Sequence, residues 1–328
     1  MKRYLPLFAS AAICAALPAS AQDAKTYPAP SEIVAAAKAD DWVAIAPSDV
    51  LVMDLAPDSK GKPRRVVIQL MPAPFSQGWV SNIRKLAAAH WWDGTSVNRV
   101  QDNYVVQWGD ATEKKALPDG LAVVSEADYQ VKAPDDVTAS GLPLLYQANV
   151  SAPSPTRWKG HMVLRDNPTW IYGSYYNGFP YAGEMSPHFS TIWPIHCYGM
   201  VGVGRNLSPD TGTGAELYTV IGHAPRHLDR NIALVGRVIE GIEHMSSLPR
   251  GTGALGFYEK EEERVPILSV RLGNAAKDVP AFEYLSTDSD SFAAYADARA
   301  NRRDAFFNVP AGGADICNIP VPIRRKAN

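Results

Sequence analysis

The feature that most constrains this chain is how little of it can be helix. Short apolar runs recur along it as strand-like segments: Val50 to Leu55, Arg64 to Leu70, Tyr104 to Trp108, Met200 to Val203, Tyr218 to Ile221, Ala233 to Ile239 and Val265 to Leu272. Beside these runs, two segments carry a good helical pattern. In the first, between Phe75 and His90, Trp79, Val80, Ile83, Leu86 and Ala87 recur at intervals of three and four, behind Pro72 and Pro74; that is the period of one helix face. The second is Glu240 to Met245, directly after a strand-like run. Many strands without alternating helices do not build βαβ units, so a mainly β sandwich or barrel is expected. Residues 57 to 63, Pro-Asp-Ser-Lys-Gly-Lys-Pro, separate the first two runs and predict a β-hairpin.

Two stretches fall outside such a unit. Residues 111–196 carry much Pro, Tyr and Trp over 86 positions. Structureless loops longer than about 15 residues are uncommon in compact domains, so this stretch must hold packed structure of its own. The organisation read from the sequence is therefore one domain over residues 49–273, interrupted by an insertion at 111–196. Residues 22–48, with a short helix over Ser31 to Lys38, lead into it, and an extension over 274–328 follows. The extension contains a helix over Ser289 to Phe306, where Phe292, Tyr295 and Ala296 form an apolar stripe and Arg299, Arg302 and Arg303 a basic end. Such a stripe packs on a neighbouring surface.

Composition excludes several classes. At 46% hydrophobic and 20% charged residues the chain can bury a core. Its net charge of −2 is spread over interspersed acids and bases, so nucleic acid is not expected as a partner. Residues 1–21 run from Lys2 and Arg3 through an apolar stretch, Leu5 to Leu17, to Ala19-Ser20-Ala21. That order is expected of a secretory signal cleaved after Ala21, which places the mature chain in the periplasm. The apolar run is shorter than the roughly 20 residues that span a bilayer, and no later segment is long enough, so stable membrane insertion is not expected. Ile13 before Cys14 is too bulky for a lipidation site. Removing the signal leaves Cys197 and Cys317, either two buried thiols or one disulfide; in an oxidising compartment the bridge is the favoured reading.

The most informative stretch is residues 92–110, Trp-Asp-Gly-Thr-Ser-Val-Asn-Arg-Val-Gln-Asp-Asn-Tyr-Val-Val-Gln-Trp-Gly-Asp. It resembles the cyclophilin family, whose pattern is an aromatic-Asp-Gly-Thr turn, an arginine, an aromatic five residues on, a glutamine eight residues on and then Gly-Asp. Arg99, Tyr104, Gln107 and Gly109-Asp110 fall at those offsets. Downstream, Gly199-Met200-Val201, Glu216-Leu217-Tyr218, His227-Leu228-Asp229 and the run from Val235 to Gly241 match further family segments in order. The resemblance covers Val50 to Asp110 and Tyr198 to Leu272. It implies an eight-stranded closed antiparallel barrel with a helix over each end, and peptidyl-prolyl cis-trans isomerase activity in a groove on one outer face.

Under that resemblance Arg99 is the catalytic electrostatic group. Tyr104, Val105 and Tyr218 would grip a proline ring with Leu228 at the wall, and Gln107 would hold Arg99 and a substrate carbonyl. Gly204, Glu216 and His227 complete the implied substrate set, Gly204 by giving the substrate access to backbone. The implied substrates are proline-containing peptides or unfolded exported proteins, with no cofactor and no metal, and the chain is read as a monomer. The sequence also departs from the family. Val105 stands in place of methionine, Glu216 of glutamine, His227 of a common tryptophan and Ile232 of histidine or tyrosine, and one extra residue near Arg226 separates Tyr218 from His227. These departures keep a second reading open, a cyclophilin-fold chaperone or binding module with weak or no isomerase activity whose insertion carries the function.

Other motifs carry less. His223 and His227 have helical zinc spacing, but Pro225 lies between them. His196 beside Cys197 suggests a base and a nucleophile, yet adjacent residues seldom present their side chains to each other. Residues 202–207, Gly-Val-Gly-Arg-Asn-Leu, lack the last glycine of a dinucleotide fingerprint.

Overall fold

The hairpin predicted around Pro57 to Pro63 starts the architecture. In the computed structural model, which describes residues 27–133, 162–165, 170–186, 188–310 and 312–326, helix α1 (Pro30–Ala36) and strand β1 (Trp42–Ile45) lead into β2 (Val50–Leu55) and β3 (Arg64–Leu70). Helix α2 (Gln77–Ala88), β4 (Ser96–Val100) and β5 (Val105–Gly109) follow. The insertion supplies β6 (Val131–Lys132), β7 (Met162–Arg165), β8 (Trp170–Tyr176), β9 (Phe179–Ser186) and β10 (His188–Pro194). Next come β11 (Met200–Val203), β12 (Leu217–Val220), β13 (Leu234–Glu240), α3 (Glu243–Ser246) and β14 (Val265–Leu272). The extension adds β15 (Phe282–Leu285), α4 (Asp290–Ala300) and β16 (Ile323–Arg325).

Eight of these strands close into an antiparallel barrel in the order β11-β12-β5-β4-β14-β2-β3-β13, with β13 pairing back onto β11. Closure leaves no unpaired barrel edge. Its interior takes Met53, Val66, Ile68, Val97 and Val106, all at most 1% exposed. The apolar face of α2 predicted from the sequence is the buried one: Trp79, Val80, Ile83, Leu86 and Ala87 all lie in the core. The second predicted helix is shorter than expected. Only the single turn of α3 forms, because Gly241 takes a left-handed φ of 82° before it and Pro249 follows closely.

The stretches outside the barrel are structured. The first part of the insertion docks on α2: the buried Asn82 amide donates to the Ala122 carbonyl at 2.9 Å and accepts from the Ala122 N–H at 2.8 Å. Trp79 stacks on Tyr129, ring centres 5.4 Å apart. Strands β6 to β10 form a five-stranded sheet in the order β6-β10-β9-β8-β7. A third sheet, β1-β15-β16, joins the N-terminal stretch to the extension, where the sequence predicted only helices and a Pro-containing end. Each of its strands has four residues or fewer, too short for alternation to register. One hydrophobic core runs through the barrel, the five-stranded sheet and the extension.

Two connections fix these parts together. The buried Arg237 of β13 donates twice to the Gln69 side-chain oxygen, at 3.0 and 2.7 Å, and once to the Gly178 carbonyl at 2.6 Å. Its guanidinium lies 4.3 Å from the Phe179 ring centre and 5.9 Å from that of Tyr284. Burial pushes this guanidinium down to about 9. The second connection is the predicted disulfide, which joins Cys197 to Cys317 and closes a span of 120 residues. Among the described residues, no helix is long and apolar enough to cross a membrane. The predicted signal segment lies outside the described residues.

Candidate active site

Register brings the site together. Across β4, β5, β12 and β11, Arg99 is paired with Gln107, Gln107 with Tyr218, and Tyr218 with Gly202. Residues directly opposite on neighbouring strands share a face. Four residues spread over more than a hundred positions of sequence therefore form one row on the outside of the barrel. Along β5 the alternation sends Val106 and Trp108 into the core while Val105 and Gln107 line a cleft of about 680 Å³.

A shift of pairing between Val97 and Arg99 marks a bulge on β4. Two adjacent residues, Asn98 and Arg99, can then both face the cleft. Arg99 is held on three sides. Its Nη1 donates to Gln107 Oε1 at 3.0 Å, its Nε to the Leu255 carbonyl at 2.7 Å, and its Nη2 to the Gln101 side-chain oxygen. The guanidinium lies 5.8 Å from the Tyr104 ring centre and 5.3 Å from that of Phe257. Among the described residues it has no carboxylate partner; Asp102, its nearest acidic candidate in sequence, pairs with Arg250 instead. Burial lowers its pKa from the ordinary guanidinium value. The result is a half-buried, oriented cation whose charge is not neutralised by an anion.

Beside it, Val105, Tyr218 and Val220 form an apolar cluster walled by Tyr104, Leu228 and Ile232. On the other side of Gln107 lies Glu216. Its Oε1 accepts from Asn98 at 3.1 Å and sits 3.4 Å from the Gln107 amide nitrogen. Burial raises this carboxyl to about 7, against the lowering effect of those two amides. Gly204 lines the cleft too, but its smallness serves Glu216. A Cβ there would lie 2.9 Å from Glu216 Cγ, so the side chain lies across the bare glycine where backbone access had been expected.

The structure thus gathers Arg99, Tyr104, Val105, Gln107, Gly204, Glu216, Tyr218 and Leu228 around one cleft. His227 is not among the lining residues; it is exposed, with its ring alongside Tyr104 at 6.2 Å. Among the cleft residues that the sequence does not point to are Asn98, Leu255 and Phe257. Asn98 is adjacent to Arg99 but would face the core without the bulge. The other two arrive on a loop whose Gly251, Gly253 and Gly256 permit tight backbone approach, the signal that could have found it. The cleft is also lined by Asp110 and by Ala111, Glu113, Lys115 and Leu117, which belong to the first residues of the insertion. Among the described residues, none of the five-stranded sheet lines it. Nor do the described residues hold a cluster of His, Cys, Asp or Glu suited to a metal.

Comparison with known proteins places this geometry. The family model for cyclophilin type peptidyl-prolyl cis-trans isomerase/CLD matches residues 64–272. The solved structure of cyclophilin AquaCyp293 from Hirschia baltica is similar at 21% identity and a TM-score of 0.62, covering 88% of this chain and 95% of that one. A Cryptosporidium parvum cyclophilin type peptidyl-prolyl cis-trans isomerase, solved in the presence of the dipeptide Ala-Pro, aligns at 10% identity and a TM-score of 0.35, over 67% of this chain and 98% of that one. No curated protein matches the sequence.

Proposed function

The chain belongs to the cyclophilin-type peptidyl-prolyl cis-trans isomerase family, and from that premise we propose that it isomerises Xaa-Pro bonds of exported proteins, with Arg99 as the catalytic residue. A peptide bond resists rotation by about 18–20 kcal/mol, and only bonds preceding proline keep an appreciable cis population. In the twisted state the proline nitrogen loses conjugation and becomes pyramidal. It then accepts a hydrogen bond that the planar form accepts poorly, so a fixed donor at that nitrogen stabilises the twisted state selectively.

The observation that carries the reading is the setting of Arg99: a guanidinium oriented by Gln107 at 3.0 Å, without an anionic partner among the described residues, beside an apolar cluster of Val105, Tyr218, Leu228 and Ile232. The cluster takes the proline ring, Gln107 steadies the substrate carbonyl, and Arg99 meets the developing lone pair. No nucleophile, metal or cofactor enters this scheme. The order of residues 1–21 and the Cys197–Cys317 bridge support action outside the bacterial cytoplasm.

A second reading, a chaperone or binding module, is favoured by one observation: the ionisable Glu216 against Gln107, where the family carries an amide. Exchange spectroscopy on short Xaa-Pro peptides, with catalytic amounts of the chain from Gln22, separates the two. The isomerase reading predicts accelerated cis-trans exchange for at least some residues before proline. Binding of the same peptides with no acceleration from any of them favours the module.

A further inference from the structure

Behind the apolar cluster lies a buried polar chain that the mechanism above does not use. The Tyr218 hydroxyl sits 2.8 Å from His196 Nε2, and His196 Nδ1 lies 2.8 Å from Asp229 Oδ1. The same carboxylate oxygen accepts the His196 backbone N–H at 3.0 Å, and Asp229 Oδ2 accepts from Arg226 Nε at 2.6 Å. His196 is fully buried. It is the last residue of the insertion, next to the half-cystine Cys197.

The roles along this chain follow from chemistry. Burial would raise the Asp229 carboxyl, but the His196 hydrogen bond and the Arg226 charge hold it below the ordinary value, so it is ionised and can only accept. His196 Nδ1 must then carry a proton. Burial lowers the imidazole pKa in spite of Asp229, which leaves the ring neutral with Nε2 as an acceptor. The Tyr218 hydroxyl therefore donates to His196. The two rings lie nearly parallel, 9° apart, as an in-line hydrogen bond allows.

The phenol is held from a second side. On β11 Gly202 faces it in register, and any Cβ at that position would overlap the end of the Tyr218 ring. The aromatic floor of the proline pocket is thus seated on a bare glycine and tethered at its tip to a residue from outside the barrel. An apolar ring would fill the space equally well; only a tyrosine can be tethered.

We propose that His196 is a positioning residue for the proline pocket: oriented by Asp229 and Arg226, it fixes the Tyr218 ring through the hydroxyl and so couples the insertion to substrate binding. This assignment rests on the reading of the cleft as an Xaa-Pro site. The pocket grips the proline ring in the planar and twisted states alike, so the tether acts on affinity and not on the rate of the bound peptide.

The test is a double-mutant cycle on the disulfide-intact chain, with peptide affinity from titration and bound-state exchange from NMR at saturating Ala-Pro peptide. Tyr218→Phe removes only the hydroxyl and is expected to weaken binding roughly three- to tenfold, the effect of one hydrogen bond, with the bound exchange rate unchanged. His196→Leu is expected to weaken binding by the same factor, and to add nothing in the Tyr218→Phe background. A long-range proton-nitrogen spectrum of the parent at pH 7 should show the Nδ1–H tautomer of His196. Unchanged affinity in a folded Tyr218→Phe overturns the proposal, and this arm decides alone if His196→Leu does not fold. Additive losses, or the Nε2–H tautomer, overturn it too. A parent that binds no Xaa-Pro peptide overturns the isomerase reading itself, a result distinct from a binding parent with indifferent variants.

Discussion

Glu216 gives the sharpest quantitative prediction. Its carboxyl rises from an ordinary 4.5 to about 7, first through burial and secondarily through the acidic neighbours Glu113 and Asp110, with Asn98 and Gln107 pulling the other way. At about 1.4 kcal/mol per tenfold, that change is worth about 3 kcal/mol between protonated and ionised forms. Partial access to the cleft reduces it to about 2–3 kcal/mol. Because the folded value lies above the unfolded one, the folded state binds the proton more tightly. The stabilisation is complete below about pH 4.5 and is lost as pH rises through about 7. Glu216→Gln keeps the shape and removes the titration. Urea unfolding at pH 5 and pH 8 should show the parent losing about 1–2 kcal/mol more than the variant over that interval, since part of the effect is already lost at pH 5. The carboxyl carbon of Glu216 should titrate near neutrality by NMR. Parallel pH dependence of parent and variant would refute the reasoning, since it would mean the carboxyl ionises in the cleft without penalty.

Three further outcomes follow from the same structure. Gly202→Ala forces the Tyr218 ring off its seat, which should cost about 1–3 kcal/mol in thermal unfolding and weaken peptide binding while leaving α2 and the five-stranded sheet protected in hydrogen exchange. Replacing Cys197 and Cys317 by alanine opens a closed span of 120 residues and should lower stability by about 2–5 kcal/mol in calorimetry. Gln107→Leu removes the oxygen that orients Arg99 at 3.0 Å and should reduce kcat/KM by roughly tenfold or more, read as slower exchange at low peptide concentration.

The barrel was largely legible because its strands advertise themselves. Val50 to Leu55, Arg64 to Leu70, Met200 to Val203 and Val265 to Leu272 appear at the boundaries the alternation predicts, and α2 buries the five residues its period picks out. Strand β5 begins one residue later than expected, since Asn103 turns the chain with a φ of 50° and leaves Tyr104 on the turn. The sheet β1-β15-β16 was not legible. Trp42 and Leu285 are paired across some 240 residues of sequence, and nothing local in either tetrapeptide announces a partner. The candidate site divides in the same way. Arg99, Tyr104 and Gln107 fall within nine positions, so their relation could be read from spacing. His196, Asp229, Leu255 and Phe257 reach the cleft or its floor through barrel register and insertion docking, information that belongs to the fold. Sequence adjacency pairs His196 only with Cys197, whereas its working partners lie 22 and 33 residues away.

The measurement that bears most directly on the account is the cis-trans exchange rate of an Ala-Pro peptide at saturation, for the parent and for Arg99→Ala. Fast exchange with the parent and near-background exchange with a folded variant that still binds the peptide are expected, because the arginine acts on the twisted state while the apolar cluster supplies affinity. Exchange with a folded Arg99→Ala at the parent's rate would contradict this role of the arginine.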